Sequence, residues 1–359
     1  TDQYDALLTT TLRNYMPRML DNITKGNKVL AWLDAKGQMK TQDGGERAQI
    51  PLMHQQNSTA DIYAGYGQLD TTAQDGITSA FYEWTQLSVS VTISRKEERQ
   101  NSGRSRILNL LEAKTMQAEV SLQELLNNCI VSGRITSGAS SLNGQFSARR
   151  GRLDSGADGP LPLTVLMDSN PSRSRTDLGN INPSTFTFWR NQMFESVATT
   201  FAGLKQEMMD VYLRCSRGVG GMPDLLICDE VAWREYWAAL QNNERYIITT
   251  QKTVDILGGT EALAFRTAAL VWDEVVPDVT TNADVVDAIG TIATSTIFYI
   301  NSMALEAIVD SQTNMVSTPF VRPTDQDART SQILWMGAMG TGNRRKLGVL
   351  KGISQTITS

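Results

Sequence analysis

The chain has 359 residues, 41% of them hydrophobic and 20% charged, and a formal net charge of −5. This composition excludes wholesale disorder, and the acidic balance excludes a global basic field for nucleic acid or anionic lipid. Three cysteines without CxxC spacing, Cys129, Cys215 and Cys228, read as free thiols of a reducing cytoplasm, not a disulfide framework. No apolar run is long enough to span a bilayer, and the first residues lack the basic start and apolar run of a signal peptide.

In residues 1–24, Tyr4, Leu7, Leu8, Leu12, Tyr15 and Met19 recur at a helical spacing that Pro17 disturbs, which predicts a short amphipathic arm. Next come KVLAWLDAKGQMK, a break at Gly44-Gly45, and ERAQIPLMHQQN. The flanking segments are expected to pair across that break as a long projecting hairpin, with a return leg through Tyr63 and Tyr66. Residues 36–59 offer little that is apolar beyond Met39, Ile50, Leu52 and Met53. A two-stranded hairpin is marginal without a hydrophobic face to dock on, so this one needs a surface from elsewhere. Deletion of residues 38–49 is accordingly expected to leave a folded subunit.

From residue 87 the texture changes. LSVSVTIS alternates strictly, with Leu87, Val89, Val91 and Ile93 on one face, the pattern of a half-buried strand. After RKEER, Asn101-Ser102-Gly103 stands where a helix starts. Residues 104–132 contain neither Gly nor Pro, and Ile107, Leu110, Leu111, Ala118, Leu122, Leu125, Leu126 and Cys129 form one stripe. A helix over most of that span would be about 40 Å long, a spine closed by Gly133.

Residues 134–182 read as loops with one apolar run, PLPLTVLM. A second long helix is predicted after Pro183-Ser184 from Trp189, Met193, Val197, Phe201, Leu204, Met208 and Val211, ending by Gly218. DLLIC is a strand, and Asp229 caps the helix EVAWREYWAAL. ALVWDEVV and TIFYI read as further strands, and the tail as two strands joined by a glycine-rich turn.

The residues that chemistry would need are sparse. His54 is the single histidine and lies in the polar hairpin, where a solvent-exposed role outweighs a catalytic one. Three scattered cysteines and one histidine give no zinc spacing. GVGGMPD at residues 218–224 follows a helix and precedes a strand, the reverse of a phosphate-binding glycine loop, and reads as a helix cap and turn. Asp229-Glu230 and Asp273-Glu274 read as capping and surface acids. Arg149, Arg150, Arg152, Arg173 and Arg175 read as solvated or as intersubunit ion pairs. NIT at Asn22 and NST at Asn57 matter only in a secretory pathway.

The order of these elements, with KGN at residues 25–27, GGERAQIPL at 44–52, YAGYGQLDT at 63–71, AFYEWTQLSVSVTIS at 80–94, NSGRSRILNLLEAK at 101–114, FWRNQ at 188–192, PDLLICDE at 223–230 and the closing RRKLGVLKGI, resembles the major capsid proteins of tailed bacteriophages. The resemblance implies the α+β HK-97-like capsid fold: an arm at 1–24, an extended loop at 25–80, a peripheral domain at 81–183 continued by strands at 304–359, and an axial domain at 184–303. It places Lys36, Lys40, Gly44, Gly45, Glu46, Arg47 and Pro51 on the intersubunit hairpin, and Asn101 and Gly103 at the start of the spine helix.

It further implies no catalysis, cofactor or metal. The expected partners are sister copies in hexamers and pentamers of an icosahedral shell, with portal, scaffolding and decoration proteins. The shell encloses double-stranded DNA without sequence-specific binding, does not touch a membrane, and is assembled in the host cytoplasm into a virion. Some members mature by subunit rotation and hairpin reorientation, some carry a cleaved N-terminal scaffold segment, and some cross-link a lysine to an asparagine. No partner motif for such a cross-link matches Lys36 or Lys40, so non-covalent closure is expected here. The competing readings are an encapsulin shell, which shares the fold and encloses protein cargo, and a cytosolic α/β hydrolase using the Asp229-Glu230 neighbourhood.

Overall fold

The computed structural model describes residues 28–100, 110–132, 159–172, 174, 178–241, 262–276, 295–324, 326–354 and 357. Asn101, Gly103, Gly133, the arm at 1–24 and the arginine clusters at 149–152 and 173–175 lie outside the described residues. The chain divides into two units. The smaller holds Ser88–Glu124 and Met315–Trp335, and the larger holds Gly26–Leu87, Leu125–Asn314 and Met336–Ser359.

Helix α1 (Lys28–Ala35) buries Val29, Trp32 and Leu33 in the larger unit. It ends in a Schellman motif: Gln38 N donates to Leu33 O at 2.9 Å, Gly37 N donates to Asp34 O at 2.9 Å, and Gly37 takes φ 68°. Strand β1 (Met39–Gln42) follows and runs parallel to a segment near the far end of the chain, Met39 opposite Ala307 and Gln42 opposite Asp310. Strands β2 (Ala48–Met53) and β3 (Ile77–Tyr82) then pair antiparallel, Ile50 opposite Ala80.

This pairing corrects the expected hairpin. β1 and β2 do not pair across Gly44-Gly45; those glycines, at φ 63° and 105°, turn a corner between two different sheets. The true hairpin is β2–β3, and its connection is residues 54–76. Residues 28–42, expected to project, instead pack within their own unit.

Strand β4 (Thr85–Ser94) keeps its alternation, with Leu87, Val91 and Ile93 buried. Helix α2 (Arg95–Gln100) opens with a capping box: Glu97 N donates to Ser94 Oγ at 3.3 Å while Ser94 N donates to Glu97 Oε2 at 3.4 Å. Helix α3 (Leu110–Val131) is the long helix expected in this stretch, and its 22 residues span about 33 Å. Within the smaller unit Lys114 of α3 pairs with Glu97 at 2.8 Å.

Helix α4 (Leu163–Leu166) is one buried turn within the apolar run expected to be part of a loop. Strand β5 (Gln192–Glu195) and helix α5 (Phe201–Ser216) replace the single long helix expected after Pro183. The helix begins only at the N-cap Thr200, whose Oγ accepts from Gly203 N at 3.2 Å. Upstream, Trp189, Met193 and Val197 share helical spacing by coincidence, because Gln192–Glu195 lie parallel to the chain's last strand.

Strand β6 (Leu225–Cys228) is wholly buried and leads into α6 (Glu230–Gln241). Strands β7 (Leu263–Phe265) and β8 (Ala268–Trp272) form a tight hairpin, and ALVWDEVV leaves strand conformation after Trp272. Then come β9 (Ser295–Ile300), β10 (Leu305–Asp310), β11 (Val316–Ser317), β12 (Ala328–Thr341) and β13 (Gly348–Ile353). In the larger unit one six-stranded mixed sheet runs β5-β13-β9-β6-β8-β7. Alternate residues Leu226, Cys228, Ile297, Tyr299 and Leu350 pack against Leu204, Met208, Val211 and Tyr212 of α5 and Ala232 and Tyr236 of α6. In the smaller unit β11 pairs with β12, Val316 opposite Leu334.

All three thiols are buried, Cys215 and Cys228 in the core of the six-stranded sheet and Cys129 on α3. Burial pushes Cys129 and Cys215 up to about 12 and raises Cys228 well above its usual value. Folded pKa values above the unfolded 9.0 mean that the folded state holds these protons longer, so their contribution is intact below pH 9 and is lost as pH climbs toward 12. The native subunit is therefore expected to resist a thiol reagent at pH 8, and its thermal midpoint to fall steadily above pH 9. Rapid labelling of all three cysteines without unfolding would contradict the burial.

Candidate assembly surface

The root of the β2–β3 hairpin is fastened to its own chain. β2 alternates, burying Ala48, Ile50 and Leu52 and exposing Gln49, Pro51 and Met53. The buried face lies on the end of β12. A Cβ at Gly340 would stand 2.8 Å from the Tyr82 ring and 3.1 Å from Ile50 Cδ1, so only glycine lets the strands approach this closely. Tyr82 Oη donates to Thr341 O at 2.8 Å and accepts from Thr341 N at 3.1 Å. Trp84 Nε1 donates to Gly45 O at 2.9 Å and fixes the corner. The hairpin thus has a docking face on its own body, contrary to the expectation that all of it lies on another copy.

Its connection does not. Residues 54–76 run without helix or strand, and nearly all are exposed. Ile62 is 97% exposed, and Tyr63, Tyr66 and Leu69 also face water, continuing the exposed Met53 and Ile77 at the strand ends. The loop's own bonds are polar and stay within it. Asn57 Oδ1 accepts from Thr59 N and Oγ, Asp70 Oδ1 accepts from Thr72 N and Oγ, and Ser58 Oγ donates to Gln74 Oε1 at 3.0 Å. Those bonds hold the Asp70 carboxyl below its ordinary range. They order turns but bury none of the four apolar side chains, a pattern that marks an interaction surface.

Of the residues expected on the projecting hairpin, most sit at its base. Lys36 pairs with Asp224 at 3.5 Å and Lys40 with Glu306 at 2.7 Å, both within the chain. Such partly exposed pairs add little stability, but they occupy both ammonium groups. Gly44 and Gly45 form the corner, Glu46 and Arg47 stand beside each other at 3.8 Å on the surface, and Pro51 lies on the exposed face of β2. The exposed apolar residues of the tip are the part the turn signal at Gly44-Gly45 obscured. His54, expected in open solvent, is half-buried at the hairpin end, its ring 5.1 Å from that of Phe188.

The aspartate of each acidic pair has a structural role. Asp229 is 2% exposed; its carboxylate accepts from Val231 N at 3.3 Å, from Thr296 N at 3.1 Å and from Ser295 Oγ, tying the start of α6 to β9. Burial raises its pKa, against the pull of those hydrogen bonds. Asp273 Oδ1 accepts from Val275 N at 3.0 Å in the turn after β8. Among the described residues no group of three or more His, Cys, Asp or Glu side chains is arranged to hold a metal ion. Among them, too, no helix is long and apolar enough to cross a membrane.

No family model matches the chain, and no curated protein matches its sequence. Solved structures do match in fold. The Cyanophage A-1(L) capsid asymmetric unit aligns over 95% of this chain and 97% of its own, at 13% identity and a TM-score of 0.64. The holo-SrpI encapsulin complex of Synechococcus elongatus PCC 7942 aligns over 99% and 97%, at 9% identity and 0.57. The capsid of Myoviridae phage XM1 aligns over 95% and 97%, at 10% identity and 0.54. At these identities the likeness is one of fold: the chain has the mixed α/β architecture of phage capsid and encapsulin shell proteins.

Proposed function

We propose that this chain is a major capsid protein: a structural, non-enzymatic subunit whose copies close into hexamers and pentamers of an icosahedral phage head around double-stranded DNA. The observation that carries the proposal is the 54–76 loop, whose apolar side chains are exposed in the single chain on a fold otherwise found in shells. Heterologous surfaces of this kind generate rings when the rotation closes. The net charge of −5 agrees with a shell that surrounds DNA without gripping it. In this proposal the smaller unit is the peripheral-type domain and the six-stranded sheet the core of the axial-type domain. Portal, scaffolding and decoration proteins are further partners, and the finished shell belongs to the virion after assembly in the host cytoplasm.

The encapsulin likeness over 99% of the chain keeps one alternative in play, a compartment for protein cargo. Contents separate the two. Shells purified from lysed host cells are expected to hold nuclease-protected DNA, whereas shells holding a folded protein and no DNA would favour the compartment. Expressed protein that forms no particles under negative stain would overturn both. Because Lys36 and Lys40 are paired within the chain, boiling purified shells in detergent is expected to release a single 39.6 kDa band. A ladder of covalent multimers would contradict non-covalent closure.

A further inference from the structure

The loop between α5 and β6 is built as a rigid apolar knuckle. Gly218, Gly220 and Gly221 take φ of 84°, 112° and 77°, a course that residues with a Cβ rarely follow. The loop is held from beneath. The buried Lys346 donates through Nζ to Gly218 O at 3.0 Å, Gly221 O at 3.1 Å and Ser216 O at 3.4 Å, and Asn301 Nδ2 donates to Gly220 O at 2.8 Å. On this fixed base Val219 is 96% exposed, and Met222 and Met303 are exposed with it. A loop already ordered in the free subunit loses little entropy when it docks.

Its rim is basic. Arg217 and Arg345 are exposed, and Lys36 stands at the edge against Asp224, whose carboxylate also accepts from Ser302 N and Oγ. The hairpin tip has the opposite character. Residues 55–76 carry Asp61, Asp70 and Asp75, no lysine or arginine, and the exposed Ile62, Tyr63, Tyr66 and Leu69.

We infer that the Val219 knuckle is the seat on which a second copy of the chain lays its acidic, apolar 54–76 tip. Apolar surface meets apolar surface at the centre, and the two aspartates Asp61 and Asp75 face the Arg217 and Arg345 rim, the complementarity that fixes register and excludes wrong partners. The inference rests on the shell-subunit reading.

Met222 and Met303 are native reporters. In assembled shells both are expected to react with hydrogen peroxide about tenfold more slowly than in the free subunit, as methionines inside a packed contact do. Arg217→Glu with Arg345→Glu is expected to raise the protein concentration needed for assembly about tenfold, and Asp61→Lys with Asp75→Lys to do the same. All four substitutions in one chain are expected to restore assembly. Equal oxidation in shell and subunit would overturn the seat while leaving the shell reading standing. Protection without charge-swap rescue would show that something other than the tip covers the knuckle, and would equally overturn it. Wild-type protein that never forms shells would bring down both readings. Because the substitutions are at exposed positions, circular dichroism and the thermal midpoint of each variant are expected to match wild type.

Discussion

A subunit in which residues 55–75 are replaced by Asn-Gly is expected to fold with its stability unchanged to within about 0.5 kcal/mol and to form no shells. His54 N already donates to Gly76 O at 3.0 Å, so a two-residue turn closes the β2–β3 ladder in its present register. The replacement removes Ile62, Tyr63, Tyr66 and Leu69, none of which is buried in the chain's own core. Buried aromatic anchors of an interface are each worth about 2 kcal/mol or more, and each subunit in a shell forfeits them at every such contact. Deleting residues 38–49 is expected to have the opposite effect. It takes out β1, which pairs with β10, and the buried Ala48 of β2, so the larger unit itself should unfold. Circular dichroism with sedimentation separates the two outcomes. Unfolding of the Asn-Gly variant would mean that the tip belongs to the subunit core.

Arg344→Met is expected to destabilise the unassembled subunit by roughly 3–5 kcal/mol, a large share of a typical folding free energy. The Arg344 side chain is 1% exposed. It donates from Nε to Leu166 O at 2.7 Å, from Nη1 to Trp189 O at 3.2 Å and from Nη2 to Val165 O at 3.3 Å. One guanidinium thereby ties α4, the turn at Trp189 and the approach to β13 together. Methionine keeps much of the volume but leaves those carbonyls in the core without this donor, and each such group costs about 1–3 kcal/mol. Arg344→Lys should recover little, since an ammonium lacks the planar fork that reaches three acceptors. The urea midpoint of each variant checks this, and a midpoint close to wild type would show that the guanidinium is not what joins these segments.

The parts of this fold that were legible in sequence are those whose pattern is local. The alternation of β4, the capping of α6 by Asp229, the apolar β9 and the stripe of α3 each follow from a period or a cap. What stayed hidden depends on distant pairing. Nothing near Met39–Gln42 announces a parallel partner at Ala307 to Asp310, so the strongest local turn signal, Gly44-Gly45, falls between two strands that do not pair. The same holds for Gln192–Glu195, where a partner in β13 overrides apparent helical spacing. In the run RRK, Arg344 and Lys346 are buried while Arg345 between them is exposed, a placement that no local pattern announces. On the candidate assembly surface, the Gly-Gly break draws attention to the base of the hairpin and not to its tip, because exposed apolar residues in a loop follow no period.

Hydroxyl-radical labelling of Tyr63 and Tyr66 in the unassembled subunit and in purified shells tests most directly whether the tip finds its burial on a sister copy. Both tyrosines are expected to label rapidly in the subunit and to be protected about tenfold in the shell, as aromatic residues inside a packed interface are. Equal labelling in the two states, or strong protection already in the free subunit, would contradict it.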